Sequence, residues 1–322
     1  MNSAEVIVFS GVPQTYTYSF TDQENYPIGC HVKIQLGQKE CDGLIIKKGI
    51  NEKKIPLKPI ICLNEKKPIL SKDLIDLMGW FQDYYHTTPY KAYQVVIGKR
   101  SLRKVEKINK HPIKETEFKL TIEQKKAVKE INNYYGYKEI VIHGITGSGK
   151  TEIYLQVAKK VIENKKNVII LVPEIALTPQ FFAIFEARFG KRLALLHSGL
   201  TKKQKDIEWS KIYNEEVDIV LGPRSAIFAP FKNLGLIILD ECHDSAYKQE
   251  QHPRYDTYTV AKYRCKTHEA LLINGSATPQ IELKYTSEEK GKSLIELNTR
   301  VNKKPLPNIQ IVDMLQEEET NQ

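Results

Sequence analysis

The sequence predicts an α/β protein in two parts, a small β-rich domain followed by a larger lobe with a parallel sheet. Three observations carry this. Residues 6–50 hold short β-rich runs broken by turn residues. From residue 118 onward, near-continuous apolar runs alternate with helical segments. A glycine-rich block at residues 144–151 sits between one such run and a helix. The chain has 322 residues, which suits about two domains at roughly 150 residues each.

The elements follow in order. Val6-Ile7-Val8-Phe9 and Tyr16-Thr17-Tyr18-Ser19-Phe20 come first. Val32-Lys33-Ile34-Gln35-Leu36 alternates and ends at Gly37, and Gly43-Leu44-Ile45-Ile46 leads to Lys47-Lys48-Gly49, expected as a turn. The pattern is that of a small antiparallel sheet. Residues 71–86 change to helical spacing: Ser71 stands where a cap belongs, and Leu74, Ile75, Leu77, Met78 and Phe81 share one face. Periodicity then collapses over 99–117, where Lys99, Arg100, Arg103, Lys104, Lys107, Lys110 and Lys114 meet the acid Glu106. A solvated linker and a stretch that touches phosphates both fit such a run. The expected division is 1–98, a linker at 99–117, and a lobe at 118–322. The lobe's apolar runs, 139–143, 168–172, 193–196, 218–221, 236–239 and 270–273, have the composition of strands buried on both faces. There is no internal repeat, and 317–322 reads as a frayed polar tail.

Composition narrows the class. Hydrophobic residues are 41% and charged residues 27%, ordinary for a globular chain and incompatible with wholesale disorder. No stretch nears the ~18 apolar residues of a membrane span, and the first residues lack a secretion-signal pattern. A cytoplasmic protein without a membrane partner is expected. With 48 Lys+Arg against 39 Asp+Glu the formal charge is +9, which favours polyanionic partners without identifying one. Cys30, Cys41, Cys62, Cys242 and Cys265 are widely spaced with no C-x-x-C pair, so free thiols and no zinc site are expected.

Chemistry concentrates in the lobe. Gly144-Ile145-Thr146-Gly147-Ser148-Gly149-Lys150-Thr151 fits G-x-x-x-x-G-K-[ST], follows the run ending at His143 and precedes helix-like Glu152-Ile153-Tyr154-Leu155. That context separates a phosphate loop from a chance glycine turn. Its glycines let backbone N–H groups point at phosphate oxygens at the positive end of a helix. Lys150 is expected to neutralise the β- and γ-phosphates and Thr151 to ligate Mg²⁺. In Leu236-Ile237-Ile238-Leu239-Asp240-Glu241-Cys242-His243, Asp240 ends a buried run and suits the same Mg²⁺. Glu241 is the candidate base for the attacking water, and His243 a sensor of the γ-phosphate. Gly275-Ser276-Ala277-Thr278 offers small hydroxyl residues, Ser276 and Thr278, for a hydrogen-bonded link. Alone, the acidic pair and this turn are commonplace; their order on one sheet is what carries weight.

That order resembles lobe 1 of superfamily 2 helicases, where the three blocks are motifs I, II and III, and it implies a RecA-like lobe. Leu120-Thr121-Ile122-Glu123-Gln124 looks like the segment whose glutamine contacts adenine, which makes Gln124 the base-recognition candidate. Further blocks resemble the primosomal replication-restart helicases, the PriA family: Leu171-Val172-Pro173-Glu174-Ile175-Ala176-Leu177-Thr178-Pro179-Gln180, His197-Ser198-Gly199-Leu200 with Trp209, and Gly222-Pro223-Arg224-Ser225-Ala226-Ile227-Phe228-Ala229-Pro230-Phe231. The stretch Asp244-Ser245-Ala246-Tyr247-Lys248-Gln249-Glu250, continuing to Arg254-Tyr255, resembles that family's aromatic-rich loop, which links single-stranded DNA to the ATP site. Aromatic faces there would stack bases while Lys248, Arg254 and Arg224 take phosphates. The resemblance runs to Leu306-Pro307-Asn308-Ile309-Gln310-Ile311-Val312-Asp313.

At the N-terminus, Gly29, Val32 and Gln35-Leu36-Gly37 are similar to the G-x-x-V-x-V-P-F-G pattern of the family's 3′-end-binding domain. The likeness implies close approach of a nucleotide at Gly37, a phosphate on Lys58 and stacking on Tyr16. An ordinary turn glycine and a solvated lysine are the competing explanations. Thr17 stands where the family has aspartate and cannot accept a 3′-OH proton as a carboxylate does.

The family resemblance implies an ATP- and Mg²⁺-dependent 3′–5′ helicase acting at stalled forks to restart replication. Its implied partners are single-stranded and forked DNA, helicase-loading primosome proteins and single-stranded DNA-binding protein. The chain departs from the family pattern in having no winged-helix segment, no second lobe with its arginine finger and no cysteine-rich zinc module. A truncated chain with weak hydrolysis of its own is therefore expected. Another superfamily 2 translocase and a fork-binding module that uses nucleotide only as a switch are the alternatives.

Overall fold

A computed structural model describes residues 2–21, 26–51, 55–64, 68–98, 102–103, 119–176, 178–289 and 293–302. The basic stretch 99–117, apart from Leu102 and Arg103, and everything after Asn302 lie outside the described residues.

The first sheet contains β1 (Asn2–Val8), β2 (Tyr16–Phe20), β3 (His31–Leu36), β4 (Lys39–Ile50) and β5 (Cys62–Leu63), in the antiparallel order β2-β1-β4-β3-β5. Lys47-Lys48-Gly49 is not a turn. β1 extends back to Asn2 and pairs Glu5 with Lys47, Ala4 with Lys48 and Ser3 with Gly49, across a register shift at Glu5/Val6. The partner strand thus supplies the ladder that the local sequence does not advertise. Ala4, Val6, Val8, Tyr18, Val32, Ile34 and Ile45 form this sheet's own core.

Two helices follow, α1 (Lys72–Tyr85) and α2 (Pro89–Val96). Ser71 occupies the N-cap of α1, but its hydroxyl makes no capping bond. Burial of Leu74, Leu77, Met78 and Phe81 holds the helix in its place. α2, unannounced in the sequence reading, starts with Pro89 in its first turn and Thr88 Oγ1 accepting the Lys91 N–H at 3.3 Å.

The lobe runs α3 (Ile122–Ile131), β6 (Lys138–Gly144), α4 (Lys150–Glu163), β7 (Asn167–Leu171), α5 (Pro179–Phe189), β8 (Leu193–Leu195), α6 (Lys202–Tyr213), β9 (Ile219–Gly222), β10 (Leu234–Asp240), α7 (Thr257–Thr267), β11 (Leu271–Ser276), α8 (Ile281–Glu289) and β12 (Ser293–Leu297). The sheet is parallel throughout, in the order β12-β6-β11-β10-β7-β9-β8. Along β10, Leu236 and Ile238 join a core with α3, α4 and α5. Ile237 and Leu239 point the other way, into a core that includes residues of α6 and α7. Both faces are covered, as the continuous apolar runs require.

α1 and α2 belong to that second core, with Phe81, Tyr93 and Val96 sharing it with Trp209, Phe228 and Val260. Trp80 stacks on Tyr263 of α7 at 4.4 Å. Buried Arg264 donates to the carbonyls of Ile227 and Ala229 and to Asp73 of α1 at 3.2 Å. A division at residue 98 therefore separates segments that are packed together.

Candidate ATP site

The phosphate loop lies where β6 turns into α4. Gly147 (φ +83°) and Gly149 (φ +78°) take left-handed conformations that side chains rarely adopt. A Cβ on Gly149 would also fall 2.3 Å from Gln124 Nε2. Gln124 is the third residue of α3 and closes a capping box with Thr121. Its Nε2 donates to the carbonyls of Ser148 at 3.0 Å and Gly149 at 3.4 Å. The amide proposed to read adenine thus braces the loop from below in this structure. Buried Lys150 donates to the Gly144 carbonyl at 2.9 Å and lies 3.7 Å from Glu241 Oε1.

β10 delivers Asp240 to the same place. Its carboxyl is pushed up to about 6, first by burial and then by the neighbouring Glu241 charge, while the Tyr154 hydroxyl and Lys150 oppose the rise. Tyr154 Oη donates to Asp240 Oδ1 at 2.9 Å. Glu241 stands at φ +46°, a strained conformation of the kind that concentrates at working sites. Its other oxygen lies 3.6 Å from His243 Nδ1, and that nitrogen is 2.8 Å from Ser276 Oγ. Ser276 Oγ accepts the Thr278 N–H at 2.9 Å. Lys150, Glu241, His243, Ser276 and Thr278 therefore form one chain of contacts, with the Gly144 carbonyl at its loop end and Asp240 next to Glu241 in sequence.

The donor set suits a nucleotide with its cation. A carboxylate raised by burial gains from a positive partner, Thr151 opens α4 beside Lys150, and Ser148 Oγ is buried without a hydrogen-bond partner.

Across the strand ends, a cleft of ≈ 440 Å³ is lined by Pro173, Glu174, His197, Arg224, Tyr247 and Tyr255, among others. Two of the expected stacking residues need correction. Tyr247 is 3% and Tyr255 4% exposed, so neither ring offers a face to a base. Tyr247 Oη instead donates to the Leu171 and Asp240 carbonyls at 2.9 and 2.6 Å, tying β7 to β10. Tyr255 packs on Phe81 and Phe228. Arg224 clasps the loop, donating to the carbonyls of Ala246 at 3.1 Å and Lys248 at 2.7 Å. Lys248 and Arg254 are exposed, though Arg254 Nε also donates to the Glu250 carbonyl at 3.1 Å. In the first sheet, Lys58 Nζ donates to the Gly37 carbonyl at 2.5 Å. Gly37 has φ +61° with open space around it, and Tyr16 lies half-buried on β2.

Sequence reasoning missed three parts of the site. Tyr154 carries no motif that marks it, and Gly275 enters the sequence reading only as the residue that precedes Ser276. The segment after β12 lies on the loop: Leu297 O accepts from Ile145 N at 3.2 Å, Val301 N donates to Gly147 O at 3.0 Å, and Thr299 Oγ1 donates to Glu123 at 2.9 Å.

A phosphate loop and an acidic strand end joined through hydroxyls on one parallel sheet define the first lobe of a nucleotide-driven helicase. The chain belongs to the DEAD/DEAH box helicase family, which it matches over residues 121–285. Residues 5–98 match a 3′ DNA-binding domain described for PriA. Its relatives are the replication restart proteins: PriA of Bacillus subtilis is 46% identical over 222 residues, 66% of this chain and 28% of that protein. PriA of Rickettsia prowazekii is 33% identical over 305 residues, 93% of this chain and 46% of that protein. The chain thus spans less than half the length of either. Among solved structures, RecG bound to a three-way DNA junction overlaps with TM-score 0.43 at 23% identity, over 64% of this chain and 27% of that one. No described helix is long and apolar enough to cross a membrane.

Proposed function

We propose that this chain is the DNA-end-binding and ATP-hydrolysing portion of a 3′–5′ replication-restart helicase acting on stalled forks. The observation that carries this is the contact chain from Lys150 through Glu241 and His243 to Ser276, which joins the phosphate loop to the loop after β11. In this reading, loop amides and Lys150 hold the phosphates. Glu241 orients the attacking water and takes its proton, at a carboxylate kept over the site by its left-handed backbone. Thr151 and Asp240 would hold Mg²⁺, which when bound supplies positive charge at the β- and γ-phosphates. His243 and Ser276 pass the state of the γ-phosphate toward the DNA face.

Lys248, Arg254 and Arg224 support contact with single-stranded DNA there, and Tyr16, Gly37 and Lys58 support reading of a nascent 3′ end. Forked DNA, helicase-loading proteins and single-stranded DNA-binding protein are the partners proposed from the relatives. Steady-state ATP turnover, with and without forked DNA, tests the site. Lys150→Ala and Glu241→Gln should each lower fork-stimulated turnover by about a hundredfold or more, with DNA affinity kept. Turnover near wild type in either variant would remove the assignment. In a DNA-binding titration, a fork bearing a 3′-OH at its junction should bind more tightly than one without, and equal affinity would remove the end-reading role alone.

A further inference from the structure

We propose that Tyr154 is a positioning residue for the carboxylate of Asp240, reaching it through a gap that Gly275 leaves in β11. This rests on the reading of Asp240 as the Mg²⁺ ligand. Tyr154 lies one helical turn after Lys150 on α4, so both side chains face the sheet. The phenol is completely buried, and its hydroxyl ends on Asp240 Oδ1 at 2.9 Å.

The path it takes is specific. In the parallel register Asp240 lies beside Gly275, which in turn lies beside Ile142. The ring therefore crosses β11 at Gly275 to reach the next strand. A Cβ on Gly275 would stand 1.7 Å from Tyr154 Oη and 2.8 Å from its Cζ. No left-handed φ accounts for this glycine; the space above it does.

A buried phenol needs an acceptor, and a backbone carbonyl would satisfy it equally well. Here it meets the carboxylate that ends β10. The bond restricts rotation of that carboxyl group, which also accepts a hydrogen bond from the Glu241 backbone, and in this proposal keeps it in the pose that ligates the cation. Hydrogen bonds from outside the ligand shell act on metal ligands in this way, and their loss costs roughly ten- to a hundredfold in metal affinity.

The test uses ADP and Mg²⁺ with the whole chain. The readout is the Mg²⁺ concentration that gives half of the ADP-induced rise in Tm. Tyr154→Phe keeps the ring and should move this midpoint up by roughly tenfold; the Tm without ADP reports the fold separately. Asp240→Asn serves as reference and should abolish the Mg²⁺ dependence. If Asp240→Asn leaves the midpoint at the wild-type value, Asp240 is no ligand and the site reading fails with it. If Asp240→Asn behaves as expected and Tyr154→Phe matches wild type, the positioning role alone is overturned. Gly275→Ala should lower the Tm strongly in the wild-type background and much less beside Tyr154→Phe, where the nearest atom is gone. Equal damage in both backgrounds would overturn the gap.

Discussion

His31 shows how burial sets the chemistry of a single group away from the ATP site. Its ring lies edge-on to Phe9, and its Nε2 is 2.9 Å from Tyr93 Oη. Its pKa is pushed down to about 4, mainly by burial, with the Asp42 charge opposing. The unfolded chain binds this proton near 6.5, so between these values the unfolded state is the more protonated and stability rises with pH. The contribution is present above about 6.5 and is lost as pH falls through about 4. Replacing His31 by Gln, which keeps a polar partner for Tyr93 and does not titrate, should flatten the fall of Tm between pH 6.5 and 4. An unchanged Tm–pH slope would show that His31 titrates in the fold as it does in the unfolded chain. Tyr247 illustrates the limit of reading residues one at a time. Its place in an aromatic-rich loop pointed to base stacking, but a tyrosine and its backbone acceptors 76 and 7 residues away make a brace that no local pattern encodes.

At the scale of elements, α7 joins what the linear order keeps apart. Arg264 is 2% exposed and holds Asp73 of α1 together with the carbonyls of the 3-10 turn Arg224–Phe228 and of Ala229. His268 adds a second contact to Asp73 at 3.3 Å. Truncating Asp73 leaves a buried guanidinium without its counter-charge, so Asp73→Ala should cost about 3 kcal/mol of stability. The double variant Asp73→Ala/Arg264→Met should recover part of that, because no charge then remains buried. Urea unfolding measures both, and a single-variant loss below about 0.5 kcal/mol, the size of an exposed pair, would disprove the latch. The same scale explains what the sequence made legible. The central strands were readable because Leu236 to Leu239 are buried on alternating faces, which forces an apolar run, and the phosphate loop because glycine and lysine at fixed spacing leave few other structures. The strand through Lys47-Lys48-Gly49 was not, since its pairing depends on residues at the start of the chain. β12 escaped because Ser293-Leu294-Ile295-Glu296-Leu297 is a short strand whose only ladder among the described residues is with β6. Tyr154 and Gly275 escaped because their relation spans three elements.

For the whole molecule, the +9 charge has to be located before it argues for anything. Not all of the basic run is free to meet DNA. Arg103 lies 3.6 Å from buried Asp206, and its N–H donates to Ser210 Oγ at 2.7 Å, so that end of the stretch is docked on α6. Arg188 is likewise held by Glu152 and Arg192 by Asp218, and Arg264 by Asp73. Among the described residues, exposed Lys248 and Arg254 beside the cleft and Lys58 beside Gly37 are candidates for phosphate contact; the linker cations other than Arg103 lie outside the described residues. Phosphate contacts release counterions, and on single strands log K falls with log salt by about 0.7 per contact. Three or more contacts would cost roughly tenfold or more between 50 and 200 mM salt. Single-stranded DNA binding, measured by fluorescence anisotropy across that range, should show such a fall. Replacing Lys99, Arg100, Lys104 and Lys107 together by Gln should lower the slope if the linker touches the strand, whereas Arg103→Gln should leave the slope unchanged and reduce stability instead. A slope that responds to Arg103→Gln but not to the other four would reverse this division, placing the DNA on α6 rather than along the linker.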